Sequence, residues 1–257
     1  MLNLGDSFGV GDTVNDGEEY AAILNEQFAE KFGPEHLPVL NAAIAGNGQG
    51  RWLKFLRRDA EQFRPQYIIM QVCRNDFCDN HRERLFRQTN GLEELPIQSP
   101  SIYRQVQEIV ESIPVLPYSR IYAVAKQGVR QVFTNELEIR RELEADCPDR
   151  LDPETSSFDD LTIELLGECL RICRDRNWPV IGITAGVPEG ARMDRLREVF
   201  HKYGSDIIYI PTKQEIPEMY NDPDDHWNAI GHLYVADILA DYFSDQGLLV
   251  NSRQVGD

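Results

Sequence analysis

The chain has 257 residues, of which 42% are hydrophobic and 9% aromatic, which excludes a disordered chain and allows one large α/β domain or two small ones. Its formal charge of −17 argues against a nucleic-acid partner, because phosphate recognition needs clustered Lys and Arg, and against docking on anionic lipid. No apolar run reaches the roughly eighteen residues of a membrane span, so no stable membrane insertion is expected.

In chain order, residues 1–4 form a short apolar run ending at Gly5, and Glu18 to Lys31 carries Tyr20, Ile23, Leu24 and Phe28 at helical spacing before Gly33-Pro34. Pro38-Val39-Leu40 leads into the glycine-rich turn AGNGQG, and Arg51 to Phe63 places Trp52, Leu53, Leu56, Ala60 and Phe63 on one helical face. Tyr67 to Val72 is a near-continuous apolar strand, of the kind found inside a parallel sheet. After a long interval, Asp159–Arg174 reads as helix, Pro179–Thr184 as buried strand, Met193–Tyr203 as helix, Ile207–Ile210 as strand and Ala229–Phe243 as a closing helix. This alternation predicts an α/β fold around a parallel sheet of about five strands.

The interval from Cys78 to about Ser157 shows no strand pattern and is too long for a simple connection. Ile102–Ile113 and Tyr118–Leu143 have helical spacing, so residues 78–157 read as a helical insertion, either a packing appendage or a lid, within one domain spanning 1–257. The five cysteines are an odd count and do not form a disulfide framework by pattern; Cys169 and Cys173 share a helical face and read as buried apolar residues. No second close pair or histidine completes a zinc set beside them, so no metal is expected.

Open α/β sheets bind ligands beyond the carboxyl ends of their strands. Ser7 follows the first strand, Gly46 the second and Asn75 the third, while His226 lies between the last strand and the last helix. These residue types suit acyl transfer. A serine hydroxyl needs a base, and histidine titrates in the right range. Asp224, two residues before His226, can hold the imidazole tautomer, with Asp222 in reserve. The backbone amides of Ser7 and Gly46 and the carboxamide of Asn75 are available donors for an oxyanion. Asp6 and Asp76 suit side-chain to backbone turn bonds, Asn228 suits capping of the last helix, and His232 inside that helix reads as structural. Arg74 is either a receptor for a substrate carboxylate or phosphate or a surface ion-pair partner, and Trp227 is either a sugar-stacking platform or core.

Four blocks in register, GDSF, NAAIAGNG, CRNDF and DDHWNAIGH, spanning residues 5 to 232, resemble the SGNH or GDSL hydrolases. That resemblance implies a flavodoxin-like three-layer α/β/α fold and an esterase or lipase activity. It also implies Ser7 as nucleophile, Gly46 and Asn75 as oxyanion donors and His226 as base. The chain departs from the family at Cys73, where a glycine is usual, and at Pro223, three residues before the histidine, where the acid usually stands. The expected activity is hydrolysis of short-acyl esters, such as O-acetyl groups on a carbohydrate, without metal or organic cofactor. An O-acyltransferase acting on a carbohydrate, or a non-catalytic carbohydrate-binding protein on the same fold, remain alternatives. The sequence leaves the physiological substrate, oligomeric state and compartment open.

Overall fold

The computed structural model describes residues 1–33, 36–95, 157–222 and 224–246. Contacts divide the chain into one unit made of Met1–Glu93 with Pro153–Asp257 and a second of Glu94–Asp152. The helices expected at 102–113 and 118–143 lie outside the described residues.

Five strands form a wholly parallel sheet: β1 (Leu2–Leu4), β2 (Leu40–Asn41), β3 (Ile68–Cys73), β6 (Val180–Ala185) and β7 (Asp206–Ile208), in the spatial order β2-β1-β3-β6-β7. The expected α/β fold with about five parallel strands is therefore present. The last strand covers 206–208 rather than 207–210, and the second contains only two residues. The third and fourth are buried along their whole length, which is why they read as continuous apolar runs rather than alternating ones.

The strand faces sort into two cores. Leu2, Leu4, Ile68, Met70 and Val72 pack with Trp52 and Leu53 of α3 (Gln49–Arg58), Leu165 and Cys169 of α5 (Ser157–Asp175) and Leu196 and Phe200 of α6 (Ala191–Lys202). On the opposite face, Ile69, Cys73, Ile181 and Ile183 meet Tyr20, Leu24 and Phe28 of α2 (Tyr20–Phe32) and Val235, Leu239 and Phe243 of α7 (Ala229–Asp245). Burying each large apolar side chain contributes about 1.5–3 kcal/mol, so both cores lock the sheet between helical layers. The helix expected over 51–63 breaks after Arg58 and continues as a 3-10 turn over Ala60–Phe63.

Two short strands, β4 (Phe86–Gln88) and β5 (Leu92–Glu94), pair with each other inside the stretch expected to lack strands. Three residues each, with largely exposed polar side chains, they carry too little apolar alternation to register in the sequence. Cys73, Cys169 and Cys173 are buried thiols.

Strand order reverses on either side of β1. The chain runs from β1 outward to β2, then returns across to β3 on the other flank. Such a switch point opens a crevice at the strands' carboxyl ends. Ser7 leaves β1 there and Asn75 leaves β3 beside it.

Candidate active site

Ser7 begins a one-turn helix, α1 (Ser7–Val10), capped by the Asp6 carboxylate, which accepts from the Phe8 N–H at 3.0 Å; the turn stops at Gly11 with φ 79°. The glycines on either side of this serine have a packing reason. A Cβ at Gly5 would stand 2.5 Å from Gln71 Oε1 and one at Gly9 would stand 2.6 Å from the same atom. Gln71 is a fully buried residue of β3, so the serine turn has to lie directly on its carboxamide.

His226 arrives from the far end of the chain. Its loop is pinned by Asn221 N–H to His226 O (2.8 Å), Asn228 N–H to Met219 O (2.9 Å) and the Thr13 hydroxyl to Trp227 O (2.8 Å). Asn228 caps α7 by accepting from the N–H groups of Ile230 and Gly231, as its position before the closing helix suggested. Phe8 covers the imidazole, the ring centroids lying 4.6 Å apart. The result places Ser7 Oγ 2.8 Å from His226 Nε2.

The other imidazole nitrogen, Nδ1, lies 3.5 Å from Asp224 Oδ1, within ion-pair range but without a formed hydrogen bond. Asp222, the reserve candidate, is turned to solvent and bound to Lys213 Nζ at 2.7 Å. Lys213 also holds Asn221 O (2.8 Å) and Asp225 (3.1 Å), so one ammonium ties down the loop that carries Asp224. Nothing in the sequence pattern pointed to Lys213.

Asp6 is the hub beneath the serine. Fully buried, it takes Phe8 N–H, Gln71 Nε2 (3.4 Å) and the Cys73 thiol (2.8 Å) on Oδ1. Its Oδ2 takes Asn75 Nδ2 (3.1 Å) and lies 3.4 Å from Ser7 Oγ. Cys73 therefore fills the usual glycine position by joining this network rather than displacing Asn75, and burial together with Asp6 pushes its thiol well up, keeping it protonated. Asp76 likewise holds its turn, accepting from Cys73 N–H at 2.8 Å, as expected. Burial and the nearby Asp6 charge raise its carboxyl well above the ordinary range.

The Gly46 turn starts against the serine turn, where Ile44 N–H donates to Gly5 O at 3.1 Å. Gly46 has φ 72° and open space around its Cα, so left-handed backbone rather than crowding requires glycine there. A buried polar seam joins this turn to α4 (Asp76–Glu83), the helix after Asn75. Gln49 Nε2 donates to Asp76 (2.5 Å), Gly50 N–H to Asn80 Oδ1 (3.0 Å), and Asn80 Nδ2 to Gln49 Oε1 (2.6 Å) and Thr162 (2.9 Å).

Trp227 requires correction as a substrate-binding residue. It is fully buried, edge-on to Phe8 and Tyr20, and presents no face on which a sugar can stack. The sequence could not separate these readings, because either role puts an aromatic beside the histidine. Arg74 is half exposed and 3.9 Å from Asp225, beside the crevice. His232 is buried and accepts the Tyr20 N–H on Nδ1 at 3.2 Å, a packing role. Among the described residues no group of metal-ligating side chains converges, and no helix is long and apolar enough to cross a membrane.

The model of the GDSL-like lipase/acylhydrolase family matches residues 1–239. The chain belongs to that family. As a GDSL-like acylhydrolase it is a carboxylic-ester hydrolase. Similar folds include TesA (TM-score 0.54, 10% identity, 95% of this chain and 97% of that one) and the psychrotrophic esterase EstA from Pseudoalteromonas sp. (0.52, 12%, 95% and 96%). A third is the acetyl xylan esterase AlAXEase (0.53, 11%, 94% and 99%). At these identities the likeness concerns the fold, and it agrees with the flavodoxin-like arrangement of this GDSL protein. No match was found among the curated proteins.

Proposed function

We propose that the chain is a serine esterase in which Ser7 is the nucleophile, His226 the general base and Asp224 the acid that orients it. His226 Nε2 takes the Ser7 proton as Oγ attacks the ester carbonyl. The tetrahedral oxyanion is received by the backbone N–H groups of Ser7 and Gly46 and by Asn75 Nδ2. The imidazolium then protonates the leaving alcohol, and water, activated by the same base, releases the acid from the acyl-enzyme. Asp224 favours the imidazolium through its charge on the Nδ1 side.

The observation that carries this reading is the 2.8 Å contact between Ser7 Oγ and His226 Nε2. A binding protein that had lost catalysis would have no reason to keep a base aimed at that hydroxyl with a carboxylate behind it. Short acyl groups on a carbohydrate are the preferred substrates, a preference supported by the acetyl xylan esterase among the similar folds. Arg74 is the candidate partner for a substrate carboxylate or phosphate.

The test is hydrolysis of p-nitrophenyl acetate and longer esters by the protein and its Ser7→Ala variant, followed by acetylated xylo-oligosaccharides. Activity that disappears with the hydroxyl supports the nucleophile. Equal inertness of both proteins on every ester would overturn plain hydrolysis and favour transfer to a sugar hydroxyl.

A further inference from the structure

The carboxamide of Asn75 has two N–H bonds, and both are engaged by carboxylates: Nδ2 is 3.1 Å from Asp6 Oδ2 and 2.7 Å from Asp79 Oδ2. Carboxylates only accept, so the nitrogen side of the amide must face them. The two bonds are not equivalent. Asp6 Oδ2 is the atom that also lies 3.4 Å from Ser7 Oγ, so the longer bond spans the reacting side of the crevice. The shorter bond goes to a residue one helical turn further along α4, whose other oxygen accepts from Arg82 Nη1 at 2.9 Å. Asp79 is mostly buried. Burial raises its carboxyl above the ordinary range, while the bonds from Asn75 and Arg82 pull it back.

We propose that Asp79, braced by Arg82, is a positioning residue for the oxyanion: it anchors one Asn75 N–H so that the other stays aimed at the Ser7 side, where the oxyanion replaces Asp6 Oδ2 as its acceptor. This rests on the reading of Asn75 as an oxyanion donor. The torsion that turns an asparagine amide is broad, and a single long bond to Asp6 leaves the plane of the donor loosely defined. A second, short, charge-assisted bond removes that freedom before substrate arrives. Preorganisation of this sort matters because donors that must reorient during the reaction stabilise its transition state less. The sequence carried only one trace of it, the spacing of four between Asn75 and Asp79 on a helix.

The experiment is a double-mutant cycle in the whole protein, read as kcat and KM on p-nitrophenyl acetate. Asp79→Ala should lower kcat by about tenfold or more with KM within about threefold, less than the roughly hundredfold or greater loss expected from Asn75→Ala. Asp79→Asn, whose carbonyl oxygen can still accept from Asn75, should recover most of the rate. In an Asn75→Ala background Asp79→Ala should cost nothing further, whereas a merely structural lesion would add its full loss. Arg82→Gln should give a loss of about threefold that also vanishes in that background, and it serves the same cycle should Asp79→Ala not fold. Wild-type kcat in Asp79→Ala, or losses that add to that of Asn75→Ala, would overturn the proposal while an inert Ser7→Ala left the esterase reading intact. An active Ser7→Ala would instead remove the reading on which it rests.

Discussion

Ser7 Oγ and His226 Nε2 lie 2.8 Å apart although 219 positions separate the two residues in the chain. The contact is built at the sheet's switch point by two independent devices, the Gln71-backed serine turn and the pinned loop before α7.

If this pair is the reacting unit, removing either member disables it. Ser7→Ala and His226→Ala should each lower kcat by about 10⁴-fold or more, and the double variant should be no slower than the worse single one. Steady-state ester hydrolysis checks this, and additive losses would mean that the two residues act separately.

The two aspartates before the histidine should differ sharply. Asp224 faces Nδ1 at 3.5 Å, while Asp222 is occupied by Lys213. Because Asp224 is half exposed and its hydrogen bond to Nδ1 is unformed, its loss should cost about 10- to 100-fold in kcat, less than that of a buried triad acid. Asp222→Ala should stay within about threefold. The reverse ranking would move the acid to Asp222.

His232 makes stability depend on acid. Burial, followed by the nearby His226, lowers its folded pKa from 6.5 to about 4. The unfolded chain therefore binds more protons between these values, so stability is intact above about pH 6.5 and falls as pH drops toward 4. The loss reaches about 3 kcal/mol below pH 4. Urea unfolding at pH 7 and pH 4.5, and an NMR titration of the imidazole, measure it; a His232 that titrates near 6.5 would contradict it.

Gly231 and Gly46 are required for different reasons, and substitution should show it. An added Cβ at Gly231 would run into the Met219 carbonyl oxygen and stand 2.9 Å from Trp227 Cβ, so Gly231→Ala should destabilise by about 2–4 kcal/mol. Gly46→Ala meets no atom within 4 Å but must hold φ 72°, at about 1–2 kcal/mol. Its larger effect should be on kcat, through the turn that presents its amide. Thermal melts beside kinetics separate the two, and a Gly46→Ala protein with unchanged kcat would remove that amide from the site.

What the sequence determined by itself was local. Apolar runs marked β1, β3, β6 and β7, and apolar periodicity marked the long helices around them, because a buried face is written in neighbouring residues, whereas the exposed two-residue β2 left no such pattern. The GDSF, AGNG and RND blocks follow the ends of β1, β2 and β3 and the DDHW block precedes the closing helix, which is why they pointed to one edge of the sheet. The β4–β5 hairpin stayed invisible, since three-residue exposed strands carry almost no hydropathy signal. Only the tertiary structure decided which carboxylate faces His226, because that depends on Lys213 drawing Asp222 away. It also decided that Trp227 is core and that Asn75 is held by Asp6 and Asp79 together. Those are outcomes of packing, because even residues two to four apart can turn either way until their surroundings fix them, and burial is a property of the packed whole rather than of any stretch of sequence.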